Sequence, residues 1–543
     1  MNKTPMGPHL RTLSGWLKAH TGAVLVLVFL LLALIVSEIN PLFESTDELR
    51  HYRYVRLLVT EQRLPVQGAS DTRMQGHHPP LFYAVSALLT GWIPSPHDAT
   101  FSQPTNPFWG YRNWEVGVDN KLQYRHTPAE LFPYREGYAA TIAVRWVNVL
   151  VGASTVALTY LWARRLWSGV PGMALAAASL VAFNPQFIYL SAAINNDILA
   201  ALMGTAVLIL CTALVCEGVT WQRCALIGVI YGLALLTKLH LTAMGVVIVI
   251  ARWLAVRVDR RKGAWRRGAR DLALILGVAA AIAGWWFVRN WRLYGDPTGM
   301  AQLNAMWAGR SPQGHLWALI QGVPYLWSSF WGRFGYGQIP LPEAVTDALL
   351  LLCVLALTGW LRALWVSVLR RPFPSLSTIK KLGVPVLGGG FDEVPTSDST
   401  DNTVKRSGIS VEGVSSALSG SGKSWAVYGL LAFTLVLFLG VVAYYILIQP
   451  AGAMGRFLFP VLPASALLIV GGLQALNHRR VAWLGPVLTV GMAVLALYAI
   501  SGVLWLAVRY PPPASMPESP AAIDVAGVAR VLDVEVEPQL VRP

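Results

Sequence analysis

Charged residues are scarce in this chain of 543 residues: Asp, Glu, Lys and Arg together make up 13% of it, whereas soluble domains contain about 25%. Hydrophobic residues make up 55%, and the mean hydropathy is +0.49. A soluble globular protein does not combine so few charges with so many long apolar runs. The composition therefore predicts an all-α integral membrane protein with many spans.

Cysteine is also rare, with four residues in the whole sequence. Cys211, Cys216, Cys224 and Cys353 all lie in or beside apolar runs. These positions suit small packing side chains, and the spacing matches neither a disulfide framework nor a zinc site. We therefore expect no metal and no cofactor.

Acidic residues are fewer than basic ones, and the net charge is +15. In a soluble protein this balance would suggest a nucleic-acid partner, but in a membrane protein Lys and Arg collect on the cytoplasmic side. If the N-terminus is cytoplasmic, Arg164-Arg165, the basic run 257–270, Arg370-Arg371 and Arg479-Arg480 all lie on that side. The charge therefore predicts orientation and contact with anionic membrane lipids, and no nucleic acid.

Eleven segments have the length and apolarity of membrane-spanning helices. They are Thr21–Ile39, Thr141–Trp162, Val170–Leu190, Asp197–Val215, Ala225–Thr237, Leu241–Val256, Leu272–Trp291, Ala344–Leu361, Trp425–Ile448, Leu458–Leu476 and Val481–Val508. The first lacks a small-x-small cleavage site, which favours an anchor over a signal peptide. Two aromatic stretches, 79–93 and 316–331, are bounded or interrupted by proline and favour helices in the outer interface. If both crossed the membrane, the count would be thirteen.

The spans divide the chain into five regions. These are a cytoplasmic N-terminus (1–20), an N-terminal transmembrane module (21–366) with outer loops 40–140 and 294–343, a flexible cytoplasmic linker (367–424), C-terminal transmembrane helices (425–508) and an extracytoplasmic tail (509–543). Residues 417–424 match a relaxed phosphate-binding loop, but a Ser/Gly tract precedes them and a membrane helix follows, so we interpret the match as coincidence. No internal repeat of the kind common in transporters is visible.

Ionisable residues gather just beyond the first apolar run, in Ser45-Thr46-Asp47-Glu48-Leu49-Arg50-His51-Tyr52. Such a group is either a solvated interfacial patch or a site that performs chemistry. Two further groups favour chemistry. His77-His78 precede two prolines in the same outer loop, and Asn195-Asn196-Asp197 place another acid at an outer helix end. Asp197 could equally cap the helix that follows it.

A series of motifs resembles a known class of enzyme. Asp-Glu-x-x-His-Tyr at 47–52, followed by His-Pro-Pro-Leu-Phe-Tyr at 78–83, is similar to the GT-C class of lipid-linked-sugar glycosyltransferases, especially its protein O-mannosyltransferase and lipid A aminoarabinose transferase branch. Further similar motifs follow in the same order: Ala143 to Arg165, Asn184-Pro185-Gln186-Phe187, Asn195-Asn196-Asp197, Gly232 to Lys238, Arg289-Asn290-Trp291, Tyr294-Gly295-Asp296-Pro297 and 455–460.

The resemblance implies a transferase that moves a hexosyl or pentosyl group from a polyprenyl-phosphate carrier to an acceptor hydroxyl at the extracytoplasmic face of the cell membrane. It assigns the general base to the first outer-loop aspartate, which is Asp47, with Glu48 as its helper. A carboxylate within hydrogen-bond reach can take the acceptor's proton, and a single displacement would invert the anomeric carbon. A lipid phosphate leaves readily, so cations suffice and no metal is needed. No motif specifies whether the acceptor is a lipid, a glycan or a protein.

Cations near the outer interface are the candidates for holding the donor phosphate, and arginine suits two-pronged contact. We predict Arg456 first, then Arg289, Lys238 and His78. Lysines near helix ends often extend to the interface without a function, which is the competing interpretation of Lys238. The aminoarabinose branch has a lysine at the position of His78, and histidine is only partly charged at neutral pH.

Other residues are predicted to support the site. They are His51, which could orient Glu48, together with His77, Asn196 and Asp197, and the aromatic residues Tyr325, Trp331 and Tyr336, which could stack on a sugar ring. Two other functions compete with glycosyl transfer. A transporter or flippase of lipid-linked sugars would also need outer charges, although transporters tend to place charges at the membrane midplane. A non-catalytic scaffold would leave the clustering of acids, histidines and arginines unexplained.

Overall fold

The computed structural model describes most of the chain outside its termini and one long internal segment. The described residues are 20–68, 75–107, 109–111, 122–170, 172–258, 263–306, 315–369, 422–449, 452–476, 481–509, 523–525 and 529–531. The predicted linker 367–424 and the relaxed phosphate loop at 417–424 fall mostly on residues 370–421, which lie outside the described residues. The same holds for nearly all of the predicted tail 509–543 and the N-terminus 1–20.

The described residues are mostly helical. The helices of the first half are α1 (Thr21–Ile39), α2 (Glu48–Thr60), α3 (Leu81–Thr90), α4 (Tyr138–Leu166), α5 (Met173–Ala182), α6 (Pro185–Ser191), α7 (Asp197–Glu217), α8 (Trp221–Leu235) and α9 (Met244–Val258). Those of the second half are α10 (Ala264–Tyr294), α11 (Met300–Met306), α12 (His315–Trp331), α13 (Glu343–Leu369), α14 (Gly422–Ile448), α15 (Leu462–Leu476), α16 (Val481–Tyr498) and α17 (Trp505–Val508).

Shorter elements join or extend these helices. 3₁₀-helices lie at Pro128–Glu130, Leu239–Ala243 and Gly455–Val461, and a π-helical segment, Ala499–Leu504, joins α16 to α17. Strands β1 (Arg333–Phe334) and β2 (Ile339–Pro340) pair antiparallel, as do β3 (Ile523–Val525) and β4 (Ala529–Val531). The two hairpins are the only named strand pairs within the described residues.

The all-α membrane fold predicted from the sequence is confirmed. Within the part of the chain that the structure describes, nine helices are long and apolar enough to span a membrane. The predicted span Val170–Leu190 is instead the pair α5 and α6, which are bent by 58°. The bend follows from Asn184-Pro185, because proline removes a backbone donor and the Asn184 side chain caps α6 by accepting from the Phe187 amide at 2.9 Å.

One predicted span is too short to cross a membrane as a single helix. The predicted segment 225–237 has 13 residues, and the corresponding helix α8 has 15, fewer than the roughly 20 residues that cross a bilayer. Both predicted interfacial stretches are helical, as α3 and α12. α3 has ten residues, about 15 Å, too short to cross, and α12 contains Pro324.

The centre of the bundle is formed by α7 and by the run from Gly455 to the end of α15. In these two spans 67% and 72% of the apolar window is buried, against 17% in α13. A close approach joins them at Gly204, where a Cβ atom would lie 2.5 Å from the Pro460 carbonyl oxygen. This contact seats the 455–461 segment against α7, and so brings Arg456 near Asp197 at the start of that helix.

Candidate active site

The turn between α1 and α2 is anchored by a buried ion pair. Arg145 of α4 donates to both carboxylate oxygens of Glu48, from Nε at 2.7 Å and from Nη2 at 2.8 Å. It also donates to three carbonyl oxygens of the turn, those of Ser37, Asn40 and Pro41. All five guanidinium donors therefore have acceptors, and both side chains are fully buried.

Glu48 accepts two further hydrogen bonds, from the backbone amides of Phe43 and Ile194, each at 3.0 Å. Its carboxylate thus ties α2 to α4 and to the loop before α7. The structure directs Glu48 into this anchor and Asp47 toward the cavity described below, so the two neighbouring acids have different surroundings.

Asp47 occupies the N-cap position of α2 in a left-handed conformation, with φ of 64°. Aspartate tolerates this region better than most residues. Its carboxylate accepts from Arg456 Nη2 at 3.1 Å and lies 3.7 Å from Arg50 Nη1. Burial opposes ionisation, but the charges of Arg456 and Arg50 outweigh it and lower the pKa of Asp47 below its usual value. The group is therefore a carboxylate at neutral pH.

Asp197, Lys238 and Arg456 form a chain of charges beside Asp47. Lys238 Nζ donates to Asp197 Oδ1 at 2.5 Å, and Arg456 Nε lies 3.8 Å from Asp197 Oδ2. Arg456 therefore bridges the two aspartates. The ring of Phe457 lies under both cations, 5.2 Å from Lys238 Nζ and 5.7 Å from Arg456 Cζ. Four residues that are distant in sequence thus meet at one end of the bundle.

These charges line a cavity of about 560 Å³. Its ionic lining consists of Asp47, Asp197, Lys238 and Arg456, together with His51, His77, His78 and His240. Its apolar and aromatic lining comes mainly from α11 and α14 and includes Met300, Leu303, Val441, Tyr444, Tyr445 and Ile448. Tyr444 is 64% exposed, so the apolar lining reaches the outside of the bundle.

Three of the cavity histidines, His51, His77 and His78, lie outside the spans and are neutral at physiological pH. Burial lowers the pKa of His51 to about 3 and that of His77 to about 4, and it also lowers the pKa of His78 well below 6.5. His51 Nδ1 is hydrogen-bonded to the Tyr83 hydroxyl at 2.7 Å, and its ring stacks with His78 at 5.5 Å. A neutral His78 supplies a dipole rather than a charge to a bound phosphate.

The remaining predicted residues lie around the cavity rather than in its lining. Arg289 donates to the Pro65 carbonyl at 2.7 Å and stacks over Trp286. Asn196 is fully buried and donates to the Thr237 carbonyl at 3.2 Å, which holds the end of α8 near Asp197.

Of the three predicted stacking aromatics, Tyr325 lines a small cleft on the other side of Arg456. Its ring lies 4.6 Å from Arg333 Cζ. Thr46 and Gln186 line the same cleft. Trp331 is buried in the core, and Tyr336 contacts Trp109 edge-on at 6.3 Å.

Sequence reasoning missed Arg145 as the partner of Glu48, and it missed His240. An arginine in an otherwise apolar helix is a signal in itself, because such residues seek a buried partner. It also missed a cluster of Glu44, His126 and Glu130, in which Glu44 lies 82 residues before His126 in the sequence. Among the described residues, no group of three or more His, Cys, Asp or Glu side chains has the arrangement of a metal site.

The fold and the site together define a multi-pass helical membrane protein with a charged cavity at one end of its bundle. The family model for dolichyl-phosphate-mannose-protein mannosyltransferases matches residues 138–286, a range that contains Arg145, Asp197 and Lys238. The match covers less than a third of the chain. It confirms the resemblance to GT-C glycosyltransferases.

Three solved structures are similar to this chain. ArnT from Cupriavidus metallidurans bound to undecaprenyl phosphate is 14% identical, with 91% of this chain and 74% of that chain covered and a TM-score of 0.44. The oligosaccharyltransferase from Archaeoglobus fulgidus in complex with zinc and sulfate is 12% identical over 90% and 54%, with a TM-score of 0.40. Apo ArnT from the same Cupriavidus species is 17% identical over 88% and 78%, with a TM-score of 0.35. No curated protein matches the chain.

Proposed function

We propose that this protein transfers a sugar from a polyprenyl-phosphate donor to an acceptor hydroxyl on the extracytoplasmic face of the cell membrane, with inversion at the anomeric carbon. The observation that carries this proposal is the cavity of about 560 Å³, which is lined both by charged groups and by apolar side chains. A lipid-linked sugar phosphate likewise combines a charged head with an apolar chain. The family match over residues 138–286 supports the same chemistry.

The cations of the ionic lining would hold the donor phosphate. Arg456 and Lys238 are both at least nine-tenths buried and bear hydrogen-bond donors, and charge-assisted bonds to phosphate strengthen where water is excluded. The apolar residues of α14 would contact the first isoprene units. Because these residues lie next to the lipid-facing surface, the rest of the carrier can remain in the bilayer.

Donor binding would also prepare Asp47 to act. In the structure the Asp47 carboxylate accepts from Arg456 at 3.1 Å, and a carboxylate held by a cation is a weak base. A donor phosphate competes for the same guanidinium, so the pKa of Asp47 rises toward its usual value when the donor is bound. The base is then released when the donor phosphate occupies the site.

The reaction would be a single displacement. The acceptor hydroxyl oxygen forms a bond to the anomeric carbon while its proton passes to the Asp47 carboxylate. The bond between the anomeric carbon and the phosphate oxygen breaks, and its electron pair leaves with the polyprenyl phosphate. Arg456 and Lys238 stabilise the charge that develops on that phosphate. The small cleft lined by Thr46, Gln186 and Tyr325 is the route we assign to the acceptor.

Binding of polyprenyl phosphate to purified protein tests the donor site. We expect Arg456→Met to weaken binding at least 10-fold, because a charge-assisted hydrogen bond contributes about 1.5–3 kcal/mol. Arg223→Gln is the matched control, since Arg223 forms an exposed pair with Glu217 at the opposite end of α8 from Lys238. Equal affinity of wild type and Arg456→Met would contradict the proposed donor site.

A labelled polyprenyl-phosphate sugar in proteoliposomes separates transfer from transport. Transfer gives a product in which the label is no longer attached to the carrier lipid. Movement of the intact labelled lipid between leaflets, without any such product, would instead identify a flippase.

A further inference from the structure

We propose that His126, held between Glu44 and Glu130, is a positioning residue that fixes the Asp47 turn only while both ring nitrogens carry a proton. This inference rests on the proposed function, because it concerns the residue that we assign as the base. The cluster lies in the outer loops, apart from the residues that line the cavity.

The geometry suits a protonated imidazole between two carboxylates. His126 Nε2 lies 2.9 Å from Glu44 Oε1, and Nδ1 lies 2.8 Å from Glu130 Oε2. A neutral imidazole has only one N–H, so it can donate to only one of two carboxylates. The imidazolium donates to both, and the three side chains are at most 5% exposed. Loss of the proton would leave two acceptors facing each other in a site that excludes water.

Both carboxylates are fixed by other partners, so they cannot simply move away. Glu44 accepts from the backbone amides of Gln123 and Tyr124 at 2.8 Å and 2.9 Å. Glu130 accepts from Gln103 Nε2 at 2.8 Å. The cluster therefore joins the turn after α1 to residues 103 and 123–130 of the outer loop.

The turn needs such an anchor because its backbone is strained. Phe43 and Asp47 both have positive φ values, 69° and 64°, and each residue of this kind costs about 1–3 kcal/mol unless its surroundings impose it. Glu44 lies between them. The Arg145 and Glu48 pair holds one side of the turn, and the His126 cluster holds the other. Asp47 keeps its position relative to Arg456 only if both anchors are in place.

Several titratable and charged groups surround the imidazolium. Glu44 and Glu130 face His126 directly, and burial raises the pKa of Glu44 although the bonds from His126 and two backbone amides oppose this. Tyr124 and Tyr336 lie beside Glu44, and burial raises the pKa of both phenols. Tyr138 reaches Glu130 through Gln103, and the charges of Arg50 and Arg53 act on Tyr124. Although burial disfavours the imidazolium, its bonds to Glu130 and Glu44 outweigh this and raise the pKa of His126 to about 9.

The test is the pH profile of transfer by the full-length protein. We expect the wild-type kcat to fall about 10-fold per pH unit above about pH 9, as loss of one proton requires, while the KM for the donor changes little. Glu130→Gln removes one acceptor and its charge, so the same decline should begin at least one unit lower. His126→Gln should lower kcat 10- to 100-fold, since a displacement of about 1 Å costs this much, and should show no such decline. His97→Gln is the control, because burial lowers the pKa of that histidine to about 4.

An unchanged alkaline decline of kcat in both Glu130→Gln and His126→Gln would overturn the proposal and would point to another group, such as Lys238.

Thermal unfolding distinguishes this failure from that of the proposed function. A histidine with a raised pKa contributes fully to stability below about pH 6.5 and loses that contribution as pH rises to about 9. If wild type transfers no sugar at any pH, the proposed function fails. The cluster is then judged by Tm, and identical Tm profiles for wild type and His126→Gln would overturn it.

Discussion

Replacing Glu48 with glutamine tests whether this acid acts as an anchor or as a reacting group. The carboxylate accepts four hydrogen bonds, two from Arg145 and two from backbone amides. Glutamine keeps the shape but leaves Arg145 as a buried, uncompensated charge. Breaking a buried pair in this way costs about 3–5 kcal/mol.

The cost can be expressed as a change in thermal stability. With an unfolding entropy of about 2.1 cal/mol/K per residue, a loss of 4 kcal/mol lowers the Tm of a chain of this length by about 3–4 °C. We expect Glu48→Gln to show this decrease in detergent. Glu61→Gln, at the other end of α2, is the control, since Glu61 pairs with Arg63 on the exposed surface and such pairs contribute about 0–1 kcal/mol.

Sugar transfer should be measured on the same variants. Glu48→Gln should lose both stability and turnover, because the turn that carries Asp47 depends on the Arg145 anchor. A variant with wild-type Tm but no turnover would refute this reasoning. It would return Glu48 to the role of helper to Asp47 that the resemblance implies.

Two further predictions follow from the packing around Arg456 and Asp197. A Cβ atom at Gly455 would collide with the backbone of Phe330, so Gly455→Ala should displace Arg456 and lower polyprenyl-phosphate affinity about 10-fold. Gly440→Ala is the control, because Gly440 has open space around it and this variant should bind normally. Equal affinities of the two variants would contradict this prediction. Asp197→Asn and Lys238→Met should each lower Tm by more than the double variant does. Each single change leaves one buried charge of the Lys238 and Asp197 ion pair without the other. Additive losses of Tm would mean that the pair does not stabilise the site.

The membrane fold and most of its helices could be predicted because apolar length is a local signal. Every predicted span contains a helix in the structure, including α8 and the bent pair α5 and α6. Apolar length could not predict the bend at Asn184-Pro185, which depends on a side-chain cap.

Motifs predicted many residues of the candidate site, but they did not predict which residues contact one another. The structure brings together four of the predicted residues, which lie near helix ends: Asp47, Asp197, Lys238 and Arg456. The partner of Glu48 could not be predicted, because Arg145 lies 97 residues away and only the packing of α4 against the turn makes the pair. His126 was missed for the same reason. Pairings of this kind depend on tertiary contacts that a single sequence does not encode locally.

The most direct test of the account is sugar transfer by Asp47→Asn. Asparagine tolerates the left-handed backbone of this position and keeps the shape of the side chain, so the fold and the donor site should survive. We predict that polyprenyl-phosphate binding stays within a few-fold of wild type while kcat falls about 10²- to 10⁴-fold, the range that a general base contributes. Wild-type turnover by Asp47→Asn would contradict the assignment of Asp47 as the base.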